Sequence, residues 1–146
     1  MKTVRDIINH KGNAVWDVRP DVSVYEALLL MKEKGIGALL VINDKREVVG
    51  IFSERDYARR MLGDAGEETR KTPVSHLMTT NVQGILATRT IEECMAIMTE
   101  RRIRHLPVFD NDELTGMISI GDVVKAVIHD QAFLIDQLEH YISGSY

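Results

Sequence analysis

The chain has 146 residues, 45% hydrophobic and 27% charged, the composition of a folded globular protein with room for one substantial core. Its formal net charge of −4 excludes a general nucleic-acid binder, which needs a basic face to neutralise phosphates, so any anion site has to be local. No apolar run approaches a membrane span and Met1-Lys2-Thr3-Val4-Arg5-Asp6 lacks the layout of a secretory signal; with one cysteine, Cys94, inside a helical apolar pattern, a reducing, cytoplasmic location is expected.

In chain order, Val4, Ile7 and Ile8 predict a short amphipathic helix over Thr3 to His10, ended before Lys11-Gly12-Asn13. A strand follows over Ala14 to Val18. Ser23 is placed to cap the next helix, with Glu26 at the capping-box position and Val24, Ala27, Leu28 and Met31 on one face. Leu39 to Ile42 reads as a buried strand, and Glu47 to Phe52 pairs back on it as a hairpin across Asn43-Asp44-Lys45-Arg46. A helix begins at Ser53 and runs to about Leu62, and residues 63–69, with glycines and acids, form the expected exposed linker. The plan then returns: a helical turn from Pro73 to Met78, a strand from Val82 to Leu86, and a helix from Thr90 to Arg101 with Ile91, Cys94, Met95 and Met98 inward. A hairpin of Leu106–Phe109 and Leu114–Ile118 turns about Asp110-Asn111-Asp112, with Pro107 expected at the start or edge of its strand because it cannot donate to a ladder. A helix from Ser119 to His129 closes the repeat, and an added C-terminal helix carries an apolar stripe of Phe133, Leu134, Leu138, Tyr141 and Ile142.

The return is an internal repeat. Met31 falls on Met98, Glu33 on Glu100, Ile36 on Ile103, Leu39 on Leu106 and Val41 on Val108, each 67 residues apart. At Gly50 and Gly116 the offset has become 66, so one residue is lost in the turn holding Lys45 and Arg46.

The stretch that carries chemistry is also written twice. Gly50-Ile51-Phe52-Ser53-Glu54-Arg55-Asp56 returns as Gly116-Met117-Ile118-Ser119-Ile120-Gly121-Asp122. Each copy passes from strand to helix, so Ser53 and Ser119 stand where free backbone N–H groups and the positive end of the helix dipole favour a phosphate. Three residues on, Asp56 and Asp122 offer carboxylates that could accept both hydroxyls of a ribose; together the two residue types point to a nucleotide. The same pair also serves as a capping box, which many helices carry for stability alone.

A strand-helix-strand-strand-helix unit of this period, with serine and aspartate after its third strand, resembles the CBS domain, and two in one chain resemble the arrangement called a Bateman module. The likeness spans Val4 to Ile128. The stretches Ile51-Phe52-Ser53-Glu54-Arg55-Asp56-Tyr57-Ala58-Arg59 and Arg101-Arg102-Ile103-Arg104-His105-Leu106-Pro107-Val108 are similar to stand-alone CBS-pair proteins of bacteria and plant organelles. The resemblance implies an α+β fold of tandem β-α-β-β-α repeats with pseudo-twofold symmetry and an extra C-terminal helix. Its expected divisions are 1–69 for the first domain with the N-terminal helix, 70–129 for the second, and 130–146 for the C-terminal helix. It further implies clefts that bind AMP, ADP, ATP, NAD or S-adenosylmethionine, and a homodimer. By that analogy Asp56 and Asp122 hold ribose and Ser53 and Ser119 approach phosphate, while Gly37 and Ala38 in one copy, Arg104 and His105 in the other, line the clefts. Glu54-Arg55 becomes Ile120-Gly121, and Arg104 and His105, which can contact a phosphate, replace the small uncharged Gly37 and Ala38, so the two clefts are expected to differ.

The remaining constellations are weaker. Arg101, Arg102 and Arg104 form a basic run leading into the cleft strand, Arg55 is the nearest of Arg55, Arg59 and Arg60 to the anion site, and Lys11 is a further candidate for phosphate. The histidines lack metal-site spacing, and no nucleophile with a base and orienting partner can be named, so neither metal nor catalysis is expected. A regulatory binding module is the reading, with a small-molecule nucleotide and a regulated protein as partners; its alternative is a constitutive interaction or dimerisation module with vestigial clefts.

Overall fold

A computed structural model describes residues 2–12, 14–63 and 68–143, with the side chains of 61–63 left undescribed. Among the described residues, five α-helices and two three-stranded sheets form two compact α+β units, Ala14–Gln83 and Met1–Asn13 with Gly84–Tyr146.

In the first unit, β1 (Asp17–Val18) runs parallel to β2 (Ala38–Ile42), which pairs antiparallel with β3 (Val48–Ser53). β2 is central and buried along nearly its whole length, which is why its sequence is a continuous apolar run rather than an alternating one. Helix α2 (Val24–Lys34) starts at Ser23, whose side chain accepts from the Glu26 amide at 3.1 Å, and lays Val24, Ala27 and Met31 on Leu39, Val41 and Phe52. It ends at Gly35, whose φ of 64° gives the left-handed turn that releases the chain toward β2. Helix α3 (Glu54–Gly63) follows β3 directly. The expected linker lies mostly outside the described residues.

The second unit repeats this with β4 (Ile85–Leu86), β5 (His105–Asp110) and β6 (Glu113–Ser119), and α4 (Ile91–Arg101) packs Ile91, Cys94 and Met98 against Leu106, Val108 and Ile118. Both hairpins carry a register shift at the same place, between Val41 and Ile42 and between Val108 and Phe109. Beyond it Ile42 pairs with Val48 and Phe109 with Leu114, which locates the residue lost between the copies in the turn. The shorter turn closes on Asn111 and Asp112 with φ of 52° and 64°, the two positive values of a tight two-residue hairpin.

Three expectations need correction. The strands over Ala14–Val18 and Val82–Leu86 shrink to two residues each, because only Asp17 and Val18, or Ile85 and Leu86, reach the parallel ladder. Pro107 lies in a central strand rather than at an edge; it is tolerated because the ladder to β4 begins one residue later, at Val108. The closing and C-terminal helices are one, α5 (Ile120–Ser143), with no break at 129 or 130.

Packing also divides the chain differently from a boundary at 69 and 70. Helix α1 (Val4–Lys11) belongs to the second unit: the Val4 and Arg5 amides donate to Arg89 and Ala87 carbonyls at 2.8 and 2.9 Å, and Ile8 fills the space over Gly116. The segment ahead of the second repeat, with a 3-10 turn over Val74–His76, serves the first unit in the same way. Val74 donates to Val22 at 2.7 Å, Thr79 exchanges backbone hydrogen bonds with Ile51, and Met78 lies over Gly50. Each repeat is thus closed by the segment that precedes the other one.

Candidate functional site

In each unit the strand-to-helix junction sits beside the residues entering the central strand. Ala38 is opposite Ser53 in the ladder and the Gly37 carbonyl accepts from the Glu54 amide at 3.1 Å; His105 is opposite Ser119 and the Arg104 carbonyl accepts from the Ile120 amide at 2.9 Å. The structure therefore brings Gly37, Ala38, Ser53 and Asp56 to one end of the first unit, and Arg104, His105, Ser119 and Asp122 to the matching end of the second.

Both serine–aspartate pairs are capping boxes. Asp56 Oδ2 accepts from the Ser53 amide and hydroxyl, each at 3.0 Å, while Ser53 Oγ accepts from the Asp56 amide at 3.1 Å. Asp122 Oδ2 accepts from the Ser119 amide at 2.8 Å, and Ser119 Oγ accepts from the Asp122 amide at 3.2 Å. The reciprocal bonds satisfy backbone donors that the helix start leaves open and fix each carboxylate in place.

A second group on each carboxylate separates the two sites, and the motif itself does not contain it. Thr79 Oγ1 donates to Asp56 Oδ1 at 2.9 Å. Lys11 Nζ donates to Asp122 Oδ2 at 2.7 Å and to the Met117 carbonyl at 2.7 Å. Both come from the segments that close the units, and each stands six residues ahead of the first strand residue of its repeat, Asp17 or Ile85. Lys11 was legible as a candidate cation; Thr79 could have been found only by carrying the repeat alignment upstream of the strand.

The electrostatic outcome is unequal. Burial pushes the Asp122 carboxyl up, but Lys11 and the Ser119 amide outweigh it and hold it below the usual carboxylate range. Among the described residues Asp122 Oδ1 takes no hydrogen bond, whereas Asp56 Oδ1 already holds Thr79. With two lone pairs per oxygen, Asp122 presents more free acceptor capacity to a hydroxylated ligand. The second unit sets Lys11 on its carboxylate and Arg104 and His105 on the strand entry beside the same junction, while the first has Gly37 and Ala38 there and Thr79 on its carboxylate. Arg55 is exposed on the first turn of α3 and makes no hydrogen bond or ion pair among the described residues.

No group of His, Cys, Asp and Glu among the described residues has metal-site geometry. No helix among them is long and apolar enough to cross a membrane.

Two α+β repeats, each with a carboxylate locked at the mouth of its last helix, define a tandem-repeat α+β fold. Residues 4–63 and 74–129 each match the CBS domain, and the chain belongs to that family. It is 35% identical to the CBS domain-containing protein CBSX3, mitochondrial, of Arabidopsis thaliana, over 99% of this chain and 73% of that protein. Among solved structures it is similar to a protein with CBS domains from Burkholderia ambifaria MC40-6, at 45% identity and a TM-score of 0.83, covering 89% of this chain and 96% of the other. The structure of CBSX2 in complex with AMP is similar at 30% identity and a TM-score of 0.71, over 90% of this chain and 99% of the other.

Proposed function

We propose that this protein is a regulatory module that binds an adenosine-containing nucleotide, AMP foremost, and passes its occupancy to a second copy of itself or to a regulated protein. The observation that carries this reading is the repeated carboxylate held at a helix mouth by its own serine; the likeness to CBSX2, a protein solved with AMP, supports it. Asp122 Oδ1 accepts ribose hydroxyls, Ser119 stands beside the phosphate, Lys11 and Arg104 supply positive charge, and His105 offers a ring nitrogen. Asp56, Ser53, Gly37 and Ala38, with Arg55 at the margin, form the poorer site. ADP, ATP, NAD and S-adenosylmethionine are the competing ligands. The protein acts in the cytoplasm as a homodimer, and binding rather than turnover is its output.

A charge-assisted hydrogen bond contributes about 1.5 to 3 kcal/mol net, and a micromolar complex requires about 8 kcal/mol. Two ribose bonds, one phosphate contact and adenine burial reach that range. A ligand shifts shape or partner preference only by binding two states unequally. The test is a thermal-shift panel of the five ligands on wild type, Asp56→Asn and Asp122→Asn, substitutions that keep a capping side chain. AMP is expected to raise Tm in wild type and Asp56→Asn and to lose most of its effect in Asp122→Asn. Because both carboxylates are already satisfied as caps, a panel in which no nucleotide stabilises the protein assigns the motif to helix stability and favours the constitutive interaction module.

A further inference from the structure

Beyond His129, α5 continues through Ser143 with every described side chain exposed except that of Asp130, which is half-buried. Its apolar residues are not scattered. Val124, Ile128, Ile135, Leu138 and Ile142, with the polar Gln131 completing the line, follow one another at alternating steps of four and three, the 3.5-residue period of a coiled-coil seam; Leu134 and Tyr141 flank that line and Phe133 lies off it. All six residues of the line are exposed, Ile135 by 55% and Ile142 by 82%. The stripe starts where α5 is still packed on its own unit through Val123 and spans about 27 Å at 1.5 Å per residue.

We propose that this stripe pairs with the same stripe of a second copy, antiparallel, about a twofold axis near Ala132. The charges choose both partner and direction. In an antiparallel pair, seam residues meet as Val124 with Ile142, Ile128 with Leu138, and Gln131 with Ile135, each match occurring twice. The positions flanking the seam on one side are then Lys125, Ala132 and Glu139: Ala132 meets its own copy at the axis, and Lys125 faces Glu139 of the second copy on both sides of it. The opposite flank matches Leu134 with itself. Among the described residues neither Lys125 nor Glu139 makes an ion pair or hydrogen bond, whereas Asp130 is held by Lys2 at 2.8 Å and Asp136 lies 3.6 Å from His140. A parallel pair would instead set Glu139 against Leu134 and Lys125 against Ile120, leaving both charges unmatched. Complementary flanking charges are what set orientation in such pairs.

This deepens the homodimer of the reading above and is independent of nucleotide binding. The test uses the full chain, with the dimer dissociation constant measured by sedimentation equilibrium. Lys125→Glu and Glu139→Lys each replace two attractive contacts by two repulsive ones and are expected to weaken the dimer by about tenfold; the double variant is expected to recover wild-type affinity. Ile135→Glu, at the seam itself, is expected to give monomer. A protein monomeric at all concentrations, a dimer indifferent to the three single variants, or a double variant no better than the single ones overturns the proposal. AMP thermal shifts measured on the same samples keep the two readings apart: their absence throughout sinks nucleotide sensing and leaves the pairing standing.

Discussion

The contact between Lys11 and Asp122 makes a prediction that can be worked through. Asp122→Ala removes the capping carboxylate, an effect of about 1 kcal/mol, together with the bond to Lys11. The ammonium and carboxylate are 2.7 Å apart with side chains 38% and 19% exposed, so the pair is screened on one side and a coupling of about 1 kcal/mol is expected. Asp122→Ala should therefore cost about 2 kcal/mol, Lys11→Ala about 1, and the double variant about 2, because the pair can be lost only once. The pH dependence follows from the lowered carboxyl pKa in the folded protein. The unfolded chain takes up the proton first, near the ordinary aspartate value of about 3.9. The stabilisation is thus fully present above that value and is lost as pH falls through the lower folded one. Urea unfolding of the four proteins from pH 7 down to acid measures both quantities. Additive single variants at neutral pH, or an Asp122→Ala deficit that persists undiminished in acid, would refute the reasoning.

Gly35 and Arg102 end equivalent helices in the same left-handed conformation, with φ of 64° and 55°, so Gly35→Ala should destabilise and Arg102→Gly stabilise, each by about 1 kcal/mol in chemical denaturation. A Cβ at Gly50 would stand 2.9 Å from Met78 Cγ and 3.1 Å from the Thr79 carbonyl; Gly50→Ala should cost about 1 to 3 kcal/mol, with partial recovery in the Gly50→Ala, Met78→Ala double variant. Cys94 is fully buried and its thiol is pushed up to about 11 by that burial. A thiol reagent at pH 8 should therefore label it only at the rate of global unfolding.

Most of the fold was legible because the duplication gave two readings of every element. Ser23 and Thr90 marked helix starts, the runs around Leu39 and Leu106 marked central strands, and the 67-to-66 change in offset marked the shortened turn. The parts that escaped depend on partners distant in sequence. The strands at Asp17 and Ile85 are short because their neighbours offer two ladder positions, and the placement of α1 on the second unit rests on Ile8 meeting Gly116 more than 100 residues away. The candidate site divides in the same way. The strand-to-helix junctions with Ser53, Asp56, Ser119 and Asp122 came from a local motif, whereas Thr79 reaches Asp56 across 23 residues and Lys11 reaches Asp122 across 111.

The exchange of closing segments limits how this chain can be shortened. A single repeat cut out with its own leader would carry a brace shaped for its sibling and expose the groove that the sibling's brace should fill. Two such fragments could complete each other only by trading leaders, which is a domain swap, and covalent tandem linkage makes that trade permanent. Only a cut that follows the packing escapes this: Ala14–Gln83 is one continuous stretch that keeps its brace, whereas the other unit needs residues 1–13 rejoined to the chain from Gly84 onward.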